Sequence, residues 1–134
     1  MSTRSYIGKM INNSVRSIYC HYDGYPEGVG QTLLNHYGEK ELDKLLDLGG
    51  ISSLKDTIEN TALTAYREDV YVDVREDYFS NDGSMHIDYS YLYEDGKWIV
   101  YNHNTNEEHD LKKFLFGKNE INPEYYGSCW FGKS

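Results

Sequence analysis

Cys20, His21 and Asp23 fall within four consecutive residues of the segment Ile18-Tyr-Cys-His-Tyr-Asp-Gly-Tyr-Pro-Glu-Gly-Val-Gly30, which gathers most of the potentially reactive groups of the chain. A thiol beside an imidazole could supply a nucleophile or part of a metal site. Strand geometry argues against both, because adjacent residues of an extended chain point to opposite faces, so Cys20 is neither activated by His21 nor able to share a metal with it. No second cluster with ligand spacing completes a zinc site. Cys20 therefore reads as a small buried hydrophobe beside Ile7 and Ile18, no metal or cofactor is expected, and a hydrolase or transferase centred on Cys20 or His21 is the least favoured function.

His21 and Asp23 are two residues apart and can share one side. If Asn12-Asn13 forms a two-residue hairpin loop, Ile7 faces Ile18, Tyr6 faces Tyr19 and Arg4 faces His21. Pro26 suits the first position of a helix, whose outward amides around Gly28 and Gly30 carry the positive end of its dipole. Arg4, His21, Asp23, Tyr25, Gly28 and Gly30 thus form a candidate site for a small anionic or cyclic nucleotide. The plainer alternative is an Asx turn at Asp23 with Arg4 and His21 arranged around it. Gly28-x-Gly30 lacks the third glycine of a dinucleotide fingerprint and the Gly-Lys-Ser/Thr ending of a P-loop. Neither a Gly-x-Ser-x-Gly elbow nor a His-Glu-x-x-His is present.

The elements that must position these residues follow from periodicity. Residues 6–11 and 15–21 are strand-like around Asn12-Asn13. Val29, Leu33, Leu34 and Tyr37, then Leu42, Leu45 and Leu46, recur at helical spacing, with Gly38 and Gly49-Gly50 as stops. Ser53 and Asp56 resemble a capping-box variant opening a helical turn through Ile58. Residues 62–66, 70–74 and 85–93 read as strands, and Asp95-Gly96 is a type I′ hairpin signal that pairs Tyr93 with Trp98 and Glu94 with Lys97. Leu111, Phe114 and Leu115 suggest a last short helix. The expectation is one α+β domain over residues 1–117, a mainly antiparallel sheet built from hairpins with short helices on one side, followed by an aromatic tail over 118–134.

The chain has 134 residues and a formal net charge of −9. Residues 1–67 are close to neutral, so the acidity belongs to the second half. Residues 68–95 hold nine acids against one base, Arg75, interleaved with five tyrosines. Such a surface repels nucleic-acid backbone and favours a basic partner, and Asp73, Glu76, Asp77 and Asp88 are its candidate contacts. No apolar run is long enough for a membrane span, and the start lacks the apolar core of a signal peptide. With only two cysteines, Cys20 and Cys129, the reading is a cytoplasmic protein with free thiols.

Four blocks carry a resemblance: Thr3-Arg-Ser-Tyr-Ile-Gly8; the segment 18–30 with Leu33, Leu34 and Tyr37; Leu48-Gly-Gly-Ile-Ser-Ser-Leu54; and Tyr91-Leu-Tyr-Glu-Asp-Gly-Lys-Trp98. In them the chain resembles a family of small, mostly uncharacterised bacteriophage and prophage proteins. The resemblance implies a setting, the cytoplasm of an infected host, and carries over no catalytic residues. From that setting and the acidic, tyrosine-rich stretch, the expected function is stoichiometric binding that antagonises a host antiviral defence such as a CRISPR effector. A sponge for an anionic or cyclic-nucleotide immune signal is the alternative.

Overall fold

The structure is a computed structural model that describes residues 3–66, 68–80 and 87–117. Asn12, with φ of 57°, turns β1 (Ser5–Ile11) into β2 (Ser14–Cys20), which pair from Ser5 with Cys20, through Ile7 with Ile18, to Ile11 with Ser14. This is the register a two-residue loop dictates. Asp95 and Gly96, with φ of 55° and 80°, turn β4 (Tyr89–Glu94) into β5 (Lys97–Asn102), with Tyr93 opposite Trp98 and Glu94 opposite Lys97. Both central residues at positive φ define the type I′ turn that Asp-Gly favours.

The two hairpins meet where β1 runs parallel to β4, Ile7 beside Tyr91. On the outer flanks β3 (Tyr71–Val74) pairs with β2, and β6 (Glu107–Asp110) pairs with β5. The sheet is six-stranded and mostly antiparallel, ordered β3-β2-β1-β4-β5-β6. With the helices below, this is an α+β fold.

Alternation along the strands sends side chains to two cores. On one face Ile7, Ile18 and Cys20 of the first hairpin and Tyr91, Trp98 and Val100 of the second pack with Val29, Leu33, Leu42, Leu45, Leu46 and Leu111. These last come from a π-helical turn (Pro26–Gly30) running into α1 (Gln31–His36), from α2 (Glu39–Leu48) and from α5 (Leu111–Gly117). The other face buries Tyr6, Val15, Tyr19, Leu92 and Ile99 against Tyr78 and Phe79 of α4 (Arg75–Ser80). The helices expected from sequence lie on the first face, and α4, which periodicity did not reveal, covers the second. Acids at i, i+4 and i+8 of α2 hold it to the sheet: Glu39 and Asp43 meet Lys9 at 3.1 and 2.8 Å, and Asp47 meets Arg16 at 3.0 Å.

The strand expected over 62–66 does not form. Helix α3 (Ile58–Ala62) starts where a helix was expected to end, with Thr57 Oγ1 accepting from the Asn60 amide at 3.2 Å. Thr61 Oγ1 accepts from the Lys55 amide at 2.8 Å, and the Thr64 hydroxyl donates to the Ser53 carbonyl at 2.7 Å. These local bonds give the backbone a helix and turn in place of a ladder, leaving one isolated bridge between Ile51 and Ala65. The strand expected over 85–93 is described from Tyr89, after Ile87 and Asp88; its first two residues and the 118–134 tail lie outside the described residues.

Gly8 is buried within β1 because the opposite core presses on it. A Cβ there would meet Val15 Cγ1 at 2.8 Å and the Tyr78 ring at 3.1 Å. We expect Gly8→Ala to cost about 1–3 kcal/mol, as overpacking does, read as a lower urea midpoint at unchanged slope. An unchanged midpoint would show that Tyr78 does not sit on this strand.

Candidate functional site

The Arg4 and His21 backbones flank the last ladder pair, Ser5 with Cys20, as the register requires, but they part there. His21 donates its amide to the Ile51 carbonyl at 3.1 Å, and Tyr22 donates to Ser52 at 2.9 Å. Arg4 turns the other way: its carbonyl accepts from the Asp88 and Tyr89 amides at 2.9 and 3.3 Å, and its own amide donates to Asp88 Oδ2 at 3.2 Å. The His21 ring follows β2 geometry, sharing a 2.8 Å hydrogen bond between Nδ1 and the Tyr19 hydroxyl and standing edge-on to Tyr22.

Asp23, Tyr25 and Gly28 do come together, as a turn that closes on itself. Asp23 takes φ of 59°; its carbonyl accepts from the Val29 amide at 2.8 Å, and Gly28 donates to the Tyr25 carbonyl at 2.9 Å. The Tyr25 hydroxyl lies 3.4 Å from Asp23 Oδ1. Two amides that an anion would require therefore already have carbonyl acceptors. Gly28 is explained by that closure, since a Cβ would stand 2.5 Å from the Asp23 carbonyl oxygen, and Gly30 by packing, 3.1 Å from Leu111 and 3.2 Å from Tyr91. The turn is tied to the sheet by the Tyr91 hydroxyl, which donates to the Gly24 carbonyl at 2.6 Å, and by the Gly24 amide, which donates to Thr3 at 2.9 Å.

Cys20 is fully buried with Ile7 and Ile18. Desolvation pushes its thiol from 9.0 up to about 12, against a weak bond to the Tyr22 carbonyl at 3.5 Å. A thiol so held is no nucleophile at neutral pH. Among the described residues no group of three or more His, Cys, Asp or Glu is placed to hold a metal ion. None of the described helices is long and apolar enough to cross a membrane.

The acidic stretch separates by residue type. Its tyrosines turn inward: Tyr78 and Tyr91 are buried, and Tyr71, Tyr89 and Tyr93 pack half-buried against the two cores. The expected tyrosine-rich surface is thus mainly acidic, its tyrosines being half or fully buried. Asp73 lies half-buried on β3, and Glu76 and Asp77 are exposed on the first turn of α4. Arg75, the base among them, turns away, its guanidinium 3.0 Å from both Glu94 and Glu108 and over the Phe79 ring. Asp88 does not belong to this group. Its carboxylate receives the Arg4 amide at the start of β4, which lies beside Ser5, whereas Asp73 reaches β1 through Val15 at Met10. Five residues of strand, about 17 Å, separate the two positions along the sheet.

Sequence reasoning missed a cleft of about 460 Å³ between the α1–α2 junction, the Asp95-Gly96 turn and the start of α5. Trp98 forms its floor, with Nε1 donating to the Tyr37 carbonyl at 3.1 Å. Lys97 and Lys112 are offset there by Glu41 and Asp110, so the cleft selects neither anion nor cation. Its parts come from three distant stretches, which no local spacing signals.

Two outcomes follow. Tyr91→Phe leaves the buried Gly24 carbonyl without its donor and is expected to cost about 1–3 kcal/mol in a denaturant titration. Because the folded Cys20 thiol binds its proton more tightly than the unfolded one, stability falls as pH rises from 9.0 towards 12. Cys20→Ala should flatten part of that fall, and mass mapping should find native Cys20 unmodified by iodoacetamide at pH 8 but modified in denaturant. Rapid native alkylation would contradict the burial.

In comparison with known proteins the chain matches no family model, no curated protein and no solved structure.

Proposed function

We propose that this chain acts by stoichiometric binding, presenting the acidic unit formed by β3 and α4 to a basic surface of a partner protein. One observation carries this reading. Arg75 is held by Glu94 and Glu108, so among the described residues Asp73, Glu76 and Asp77 have no cationic partner, whereas Glu39, Asp43 and Asp47 of α2 are matched by Lys9 and Arg16. An acidic surface of this kind steers association with a basic one and is repelled by nucleic acid. The setting comes from the resemblance of the four sequence blocks to phage and prophage proteins: an accessory protein that antagonises a host antiviral defence, with a CRISPR effector, whose guide channel is basic, as the partner class. The buried Cys20 and the self-closed Asp23 turn add support, since neither supplies a nucleophile paired with a base.

The test is capture of a purified CRISPR effector at moderate salt by wild type and by Asp73→Lys/Glu76→Lys/Asp77→Lys. Wild-type capture that weakens with salt and drops at least about tenfold in the variant is the expected result. Asp88→Lys should act through folding stability instead. Equal capture by wild type and the triple variant would remove this surface from the function.

A further inference from the structure

The two edges of the sheet are finished differently. Strand β6 reads Glu-Glu-His-Asp, an edge guarded by charge against pairing with another chain. Strand β3 reads Tyr-Val-Asp-Val and pairs only with β2 among the described residues. Tyr71 and Asp73 point to the α4 face, where Tyr71 packs edge-on to Tyr6 at 5.8 Å. Val72 and Val74 point to the other face, 68% and 47% exposed, beyond the reach of α2, and Ile11 at 40% continues the row through Ser14. A β-branched edge strand with an open backbone and an uncovered apolar row is a template for an added strand.

Building on the proposed binding role, we infer that β3 is where the partner docks, by adding an extended segment to the sheet edge. The chemistry of that segment follows from alternation: apolar side chains on the face of Val72 and Val74, and lysine or arginine on the face of Asp73, with Glu76 and Asp77 of α4 close by. A second copy is a poor occupant, because pairing β3 with itself brings two Asp73-bearing, α4-flanked edges together and sets like charge against like. Residues 118–134 of the same chain are a poor one as well, carrying two lysines against two glutamates and no alternation of basic and apolar residues.

The experiment uses the full chain and two labelled, capped peptides of equal composition, one strictly alternating arginine and valine, the other with the two residue types in separate blocks. Anisotropy titrations should show the alternating peptide binding at least about tenfold tighter, and it should slow amide exchange over residues 70–74. Val72→Glu/Val74→Glu separates the mechanisms, since it makes the surface more acidic: a partner held by charge alone binds as well or better, whereas a strand-paired one loses about tenfold or more. Equal binding of both peptides, abolished by Asp73→Lys/Glu76→Lys/Asp77→Lys but untouched by Val72→Glu/Val74→Glu, would overturn edge pairing and leave the acidic-surface reading standing. Absence of peptide binding would also overturn edge pairing, with effector capture deciding the other reading separately. Protection, in the free protein, of the β3 amides that point away from β2 would overturn it too. Such protection would show the chain itself on the edge if independent of concentration, or a second copy if it grows with dimerisation.

Discussion

A buried hydroxyl must find an acceptor, and this structure is organised around how its tyrosines do so. Tyr91, fully buried, is the pivot. Its hydroxyl donates to the Gly24 carbonyl and holds the segment after β2 against the sheet, while its own carbonyl accepts the Tyr78 hydroxyl at 2.5 Å from the opposite face. One residue therefore joins the two cores, the parallel contact of β1 with β4 and the turn that starts the helical face. Tyr37 repeats the pattern on a smaller scale, donating to the Lys55 carbonyl at 2.8 Å and lying 3.1 Å from Thr61 Oγ1, and Trp98 donates back to the Tyr37 carbonyl. Burial pushes the pKa of Tyr37, Tyr78 and Tyr91 up, which keeps each hydroxyl protonated and a donor.

Charge is distributed by the same logic of neighbours. In the first half of the chain, Glu39, Asp43 and Asp47 of α2 lie over Lys9 and Arg16, and that half contributes almost nothing to the net charge. Hydrogen bonds to Asp43, and secondarily to Glu39, raise the Lys9 ionisation against the desolvation that opposes it. In the second half Arg75 is drawn towards Glu94 and Glu108, which among the described residues leaves the exposed acids of α4 uncompensated next to a valine-bearing edge strand. Acidic charge and available backbone thus coincide at one place on the molecule, away from the His21–Asp23 segment, which has the densest chemistry in sequence but is occupied with closing its own turn.

The amino-acid sequence determined what depends on a few adjacent residues. Asn12-Asn13 and Asp95-Gly96 set two hairpins and their registers, since a two-residue loop leaves no freedom in which residues face each other. Cys20 could be read as buried, and separated from His21, because strand alternation is a local rule. The helical spacing of Leu33, Leu42, Leu45 and Leu46 places a helical layer on one face. Residues 62–66 misled because their β propensity is also local and was outweighed by hydroxyl-to-backbone bonds of Thr61 and Thr64.

Only the tertiary structure decided the rest. That β1 pairs with β4 in parallel, joining residues 84 apart in the chain, follows from burying both of their faces at once. That Tyr78 and Phe79 form a helix covering the second face reflects the apolar surface awaiting them there; six residues alone carry too little periodicity and too little intrinsic helix stability to announce it. Strand β6 is polar throughout and forms because β5 offers it hydrogen-bond partners. The same holds for the candidate site. Sequence located the acids, but which of them are matched by a base, and which strand is left at the edge beside them, depend on residues distant along the chain, brought together by the packing of both faces of the sheet.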